Sequence, residues 1–172
     1  MTVTLRIAGP NDADALSALA RATFTETFGH LYAPEDLEHF LTTSYAPAKL
    51  RVELDEPSQR WWLAEDAGTP VGYAHCAPAD LPHPDLKLGH GELKRLYVLS
   101  SHQGGTGRAL MAEALAWLEA NHPGDLWLSV WSENHKAQHF YRRHGFDFAG
   151  EYEFLVGRQR DREFIFRRRT QP

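Results

Sequence analysis

Three glycines, Gly104, Gly105 and Gly107, stand between a stretch that reads as a β-strand, residues 92–99, and a helix whose Leu110, Met111, Ala114, Leu115 and Leu118 recur at three- and four-residue spacing. Without Cβ atoms the backbone of such a turn can approach a bulky anion. The first amides of the helix have no internal partner and lie at the positive end of its dipole. A pyrophosphate would fit there, although a plain tight turn would use the same glycines. Two nucleotide-binding loops are excluded, because the spacing is not G-x-G-x-x-G and no Gly-Lys-Ser/Thr is present.

The rest of the chain arranges itself around this strand, turn and helix. Residues 3–8 alternate weakly as a first strand, Gly9-Pro10 break it, and Asn11 offers an N-cap. Leu16, Leu19, Ala20, Thr23, Phe24 and Phe28 then give a helix one apolar face as far as Gly29. Pro34-Glu35-Asp36 opens a second helix, and residues 47–54 a third. Strands at 61–65 and 71–77 flank Asp66-Ala67-Gly68-Thr69-Pro70 and should pair antiparallel. After the central helix, which ends at 121–124, come a strand at 126–131, a helix at 134–143 stopped by Gly145, and a closing hairpin from 146–156 and 162–168. The strand, helix, strand, helix order of the second half implies a parallel pair at the centre of a mixed sheet, an α/β (α+β) architecture.

The 172 residues fit one domain, 1–172, with no linker or repeat to divide it. No apolar run approaches the roughly 20 residues of a membrane span, and no signal-like stretch follows Met1, so a cytoplasmic location is expected and no membrane partner. The net charge of −5 argues against a nucleic-acid partner, and the basic run Arg167 to Arg169 reads as a solvated strand end. Cys76, the single cysteine, sits in an apolar run and reads as a small core residue.

A second pattern, Asn134-x-x-Ala137-x-x-Phe140-Tyr141-x-x-x-Gly145-Phe146, follows the glycine turn. Helical spacing puts Asn134, Ala137 and Tyr141 on one face. Together the two segments resemble the GNAT superfamily of N-acetyltransferases. The second motif matches throughout. The first departs from the family's Gln/Arg-x-x-Gly-x-Gly/Ala by one residue: aligning Gln103 puts Thr106 and Arg108 on the glycine positions, whereas aligning Gly105 and Gly107 puts His102 where Gln or Arg is usual. The second alignment, with a shorter turn, is preferred.

The resemblance implies a central mixed, mostly antiparallel sheet of about seven strands flanked by helices. It implies acetyl-CoA as co-substrate, no metal, and a small-molecule or peptide amine as acceptor. Cofactor contacts fall on Leu96, Tyr97, Val98, Gln103, Gly104, Gly105, Thr106, Gly107, Arg108, Asn134, Ala137 and Tyr141. Among these the Val98 amide donates to the cofactor, Asn134 bonds the pantetheine arm, and Tyr141 lies near the thioester sulfur as the acid. Glu92, six residues before Val98, stands where several members carry a carboxylate that deprotonates the amine; a solvated glutamate would read the same way. The helical front, with Phe24, Phe28 and Tyr32, is where the family builds its acceptor pocket. With Phe154-Leu155-Val156-Gly157 and Asp161 it is similar to a bacterial branch that includes spermidine/spermine N-acetyltransferases. Many members dimerise, and no sequence feature here sets the oligomeric state.

Other readings use the same residues. A protein that binds acetyl-CoA as a sensor or scaffold without turnover would keep the cofactor motifs. His135 and His139 have a spacing that can chelate zinc, but no third ligand is placed to help. His75, His83 or His90 could serve as an alternative base.

Overall fold

The computed structural model describes residues 2–170. Their order is β1 (Val3–Ile7), α1 (Ala13–Phe28), α2 (Pro34–Ser44), α3 (Pro47–Asp55), β2 (Arg60–Asp66), β3 (Thr69–Pro78), β4 (Gly91–Val98), α4 (Gln103–Asn121), β5 (Leu126–Trp131), α5 (His135–Arg143), β6 (Asp147–Val156) and β7 (Gln159–Arg168). The strands form one seven-stranded sheet in the order β1-β2-β3-β4-β5-β7-β6. Every pairing is antiparallel except β4 with β5. The mixed sheet and its central parallel pair follow the order of elements read from the sequence.

Strand alternation sends side chains to two faces, and each face has its own core. On one, Leu93, Leu126, Leu128, Val130 and Phe166 pack with Leu110, Met111, Ala114 and Leu118 of α4 and with Tyr141 of α5. On the other, Trp61, Leu63 and Tyr73 pack under Leu16, Leu19, Ala20 and Phe24 of α1 and Leu50 and Leu54 of α3. A smaller group, Leu81, Trp127 and Ile165, continues the second face toward the loop before β4.

Boundaries differ from the sequence expectation where local chemistry competes with pattern. Asn11 is not the N-cap of α1. Residues 10–12 form a 3-10 turn, and Asp12 precedes the helix, its carboxylate accepting from the Gly9 N–H at 2.9 Å and pairing with Arg6 at 2.7 Å. The loop at 66–70 is tighter than expected. Asp66 and Thr69 are paired strand residues, and only Ala67 and Gly68 turn, both at positive φ (49° and 81°), as a two-residue hairpin requires. Pro70 enters β3 opposite Glu65, at a bulge where the missing N–H disrupts nothing further. The closing hairpin is likewise tighter than expected: β6 ends at Val156 as read from the sequence, but β7 begins at Gln159, three residues before the expected start at Arg162.

Candidate active site

The parallel pairing of β4 and β5 is brief. Gly91 faces Leu126 and Glu92 faces Trp127, and there it stops, although β4 continues to Val98 and β5 to Trp131. Beyond Glu92 the strands diverge and leave a gap in the middle of the sheet. The Leu99 N–H donates to the Val71 carbonyl at 2.8 Å, so alternation commits Tyr97 to β3, opposite Tyr73. The backbone groups of Leu96 and Val98 therefore point the other way, into the gap. Hydrogen-bonding groups on an interior strand normally find a strand partner, so a row without one is suited to an extended polar ligand.

The glycine turn closes the far end of β4. Gly104 (φ −60°, ψ 77°) and Gly105 (φ 101°, ψ −17°) interrupt the helical path, so continuous helix begins only after Gly105. The conformation of Gly105 is one that L side chains rarely adopt. A Cβ at either residue would meet nothing within 4 Å, and one at Gly107 would meet only Val98 at 4.0 Å. The turn is thus an open cradle, with no acidic residue in the first turn of α4. Arg108 is exposed beside it, Thr106 is buried, and Gln103 accepts from Lys136 Nζ at 2.9 Å. The aligned position of His102 has another use. Its ring bonds Asp66 Oδ2 at 2.9 Å and Ser101 at 2.7 Å, fastening the turn to the β2–β3 hairpin.

Across the gap, Asn134 caps α5 rather than belonging to it. Its Oδ1 accepts from the Ala137 N–H at 3.2 Å, which supplies a local reason for asparagine there. The amide NH2 group is not part of that cap. Tyr141 is 9% exposed and packs with Ala137 and Phe140 against the α4 core. Burial, with the charge of Glu163 added, pushes its phenol well above the usual tyrosine range, so it keeps its proton near neutrality.

Glu92 is 4% exposed. Its Oε1 accepts from the Asp80 N–H at 3.1 Å and lies 3.3 Å from Lys94 Nζ, and burial raises the carboxyl to about 7. Of the helical front, Phe24 lies inside the aromatic core, stacked on Tyr32 at 6.1 Å, and Phe28 meets the edge of Trp131 at 5.8 Å. Tyr32 alone of the three presents a polar group, its hydroxyl donating to Asp161.

One carboxylate escaped the sequence analysis. Glu163 on β7 lies opposite Trp131 of β5 and Tyr152 of β6, on the α1–α2 side of the sheet. Burial, then the neighbouring Asp161, raises it to about 8. The alternation Asp161, Glu163, Ile165 could have marked an inward carboxylate, but only the register says what it faces.

The remaining candidates have structural partners. His75 stacks on Trp61 at 3.6 Å and bonds Gln59 at 2.6 Å, and burial pushes its pKa well down. His83 bonds the Ala149 carbonyl at 2.9 Å, and His90 accepts from Trp127 Nε1 at 2.9 Å. Cys76 is buried, and burial pushes its thiol up. Arg167 pairs with Asp85 and Asp125, and Arg168 with Glu119. Among the described residues, no group of three or more His, Cys, Asp or Glu could hold a metal ion, and no helix is long and apolar enough to cross a membrane.

Known proteins resemble this chain in sequence and in fold. The chain is 31% identical over 155 residues to an uncharacterized N-acetyltransferase of Mycobacterium bovis, covering 90% of this chain and 95% of that one. It is 29% identical over 152 residues to one from Lactobacillus delbrueckii subsp. lactis, covering 88% of each. The fold superposes on the PaiA N-acetyltransferase of Thermoplasma acidophilum, solved in complex with coenzyme A, with a TM-score of 0.78 over 99% of this chain and 100% of that one, at 20% identity. The model of the acetyltransferase (GNAT) family matches residues 14–146, from the start of α1 to the end of the second motif, and the chain belongs to that family.

Proposed function

We propose that this protein transfers an acetyl group from acetyl-coenzyme A to a primary amine by direct attack of the amine on the thioester. The observation that carries this reading is the divergence of β4 from β5 beside an open glycine turn. The Leu96 and Val98 backbone groups receive the pantetheine arm as a strand would be received, with Tyr97 holding β4 in place through β3. The amides from Gln103 to Arg108 take the pyrophosphate at the positive end of α4. Asn134 bonds the same arm through its amide NH2, and Ala137 leaves room for it.

Acetyl-coenzyme A supplies a thioester, an acyl group already activated toward amines. The protein must then provide a neutral amine, hold developing negative charge, and protonate the departing sulfur. Tyr141 gives that proton, and its raised pKa keeps it in the donating form. The Val98 amide holds the oxygen charge. A carboxylate on the α1–α2 face removes the proton from the amine. Glu92 is the candidate legible in sequence, and its pKa of about 7 suits reversible proton transfer near neutrality. The acceptor enters between Tyr32, Phe28 and β7. Polyamines are the first acceptors to test, since the acidic groups on that side favour a polycation.

Calorimetry with acetyl-coenzyme A, followed by thiol release against polyamines, amino acids and peptide N-termini, tests the proposal. Binding with release for an amine is expected. Binding without release for any amine would favour a sensor or scaffold, and absence of binding would overturn the reading.

A further inference from the structure

Sheet geometry puts Glu163 on the acceptor side of the gap. Directly paired strand residues share a face, so Glu92 lies on the same face as Trp127, and Glu163 on the same face as Trp131 and Tyr152. Trp127 and Trp131 are four residues apart on β5, about 13 Å. Glu92 therefore stands at the closed end, where β4 and β5 still pair, and Glu163 at the open end, where they have separated. Tyr97 of β4 faces the same side, packing into the cluster that also receives Trp131, Tyr32 and Phe154.

The two carboxylates differ in what holds them. Glu92 accepts from the Asp80 N–H and has Lys94 at 3.3 Å. Asp161, the neighbour of Glu163 on its own face, accepts from the Tyr32 hydroxyl and from Gln159 Nε2 at 3.3 Å. Glu163 has neither an ion pair nor a side-chain hydrogen bond with any described residue. The groups on its face of the sheet are Tyr97 from β4, Trp131 from β5, Tyr152 from β6, Tyr32 from the turn after α1, and Asp161, while Tyr141 from α5 lies in the core of the other face. Its charge bears on all four of these phenols. An unpaired carboxylate walled by aromatic rings favours a compact cation, which the carboxylate neutralises and the ring faces attract.

We propose that Glu163, at the open end of the gap, receives the acceptor as an ammonium and takes its proton, so that the enzyme selects cationic primary amines. The inference rests on the acetyl-transfer reading. One proton passes from the ammonium nitrogen to the Glu163 carboxylate. The freed lone pair forms the C–N bond to the acetyl carbon, and the C–S bond breaks. The Tyr141 hydroxyl gives its proton to the leaving sulfur and recovers one from the surplus N–H of the nitrogen. Glu163 then releases its proton to solvent.

The test compares two nucleophiles on wild type, Glu163→Gln and Glu163→Asp, with acetyl-coenzyme A binding measured for each. Spermidine and n-butylamine arrive as ammonium ions; hydroxylamine is already neutral near neutral pH and has no such proton to lose. Glu163→Gln is expected to bind acetyl-coenzyme A as wild type does and to lose about 100-fold in kcat/KM with the cationic amines, but less than about threefold with hydroxylamine. Glu163→Asp, which keeps the carboxylate, should recover part of the loss. An equal fall with both kinds of nucleophile, or no fall, overturns the proposal, as does the selective loss appearing in Glu92→Gln instead. Wild-type transfer to hydroxylamine but to no cationic amine would overturn this inference and leave acetyl transfer standing. Transfer to neither nucleophile, or failure to bind acetyl-coenzyme A, would overturn both.

Discussion

The Tyr32 hydroxyl donates its hydrogen bond to the Asp161 carboxylate, joining the turn after α1 to β7. The two residues are 129 positions apart in the chain, and their contact brings the helical front over the open end of the sheet. Asp161 is 7% exposed, and its other partner is Gln159. Tyr32→Phe keeps the ring stacked on Phe24 but withdraws the donor from a buried carboxylate. Urea unfolding is expected to show a loss of about 1 to 3 kcal/mol. The acceptor KM should rise while acetyl-coenzyme A affinity holds, because the gap proposed for the cofactor lies beside β4 and α4.

Tyr141→Phe keeps the packing against Ala137 and Phe140 and removes only the hydroxyl that the proposed transfer uses as its acid. Turnover should fall about 100-fold, with acetyl-coenzyme A affinity nearly unchanged by calorimetry. Because burial raises the wild-type phenol, no alkaline loss of activity below about pH 10 should be traceable to this residue. Unchanged turnover would remove Tyr141 from the mechanism.

Glu92 makes stability depend on pH in a particular direction. Its carboxyl titrates near 4.5 when unfolded and near 7 when folded, so between those values the native state holds the extra proton. Rising pH therefore lowers stability across that window. The penalty is absent below about 4.5 and complete above about 7, on the order of 3 kcal/mol. Glu92→Gln cannot ionise, so its melting temperature relative to wild type should climb as the pH is raised from 5 through 7.5. A constant difference would show that Glu92 ionises in the fold without penalty.

Gly104 and Gly105 separate backbone strain from steric contact, since a Cβ at either meets nothing within 4 Å. Gly105→Ala must hold a φ of 101°, and should cost about 1 to 3 kcal/mol or reshape the turn, weakening acetyl-coenzyme A binding. Gly104→Ala, at φ −60°, should be tolerated in stability. Equal melting temperatures and equal affinities for the two variants would contradict the strain argument.

Patterns confined to one element or one turn were legible in the sequence. The apolar stripes of α1 and α4, the β2–β3 hairpin and the parallel pair implied by strand, helix, strand order rest on local periodicity and chain connectivity, which tertiary packing did not overrule. The Asn134 to Phe146 segment was equally readable, although the Asn134 cap on Ala137 is a local reason for that asparagine which the motif had concealed. Phe24 is the opposite case. Its helical spacing cannot say whether an apolar side chain lines a cleft or fills a core, and here it fills the core.

What only the tertiary structure decided is where β4 leaves β5 and which groups meet at that divergence. Pairing ends at Glu92 opposite Trp127, and no residue pattern in either strand marks the point, because strand separation depends on twist and on what packs above and below. Glu163 reaches the α1–α2 face only through its register with Trp131 and Tyr152, residues 32 and 11 positions earlier in the chain. A sequence determines which residues alternate along a strand; a register one residue away would have put Glu163 on the opposite face, so its placement belongs to the folded sheet.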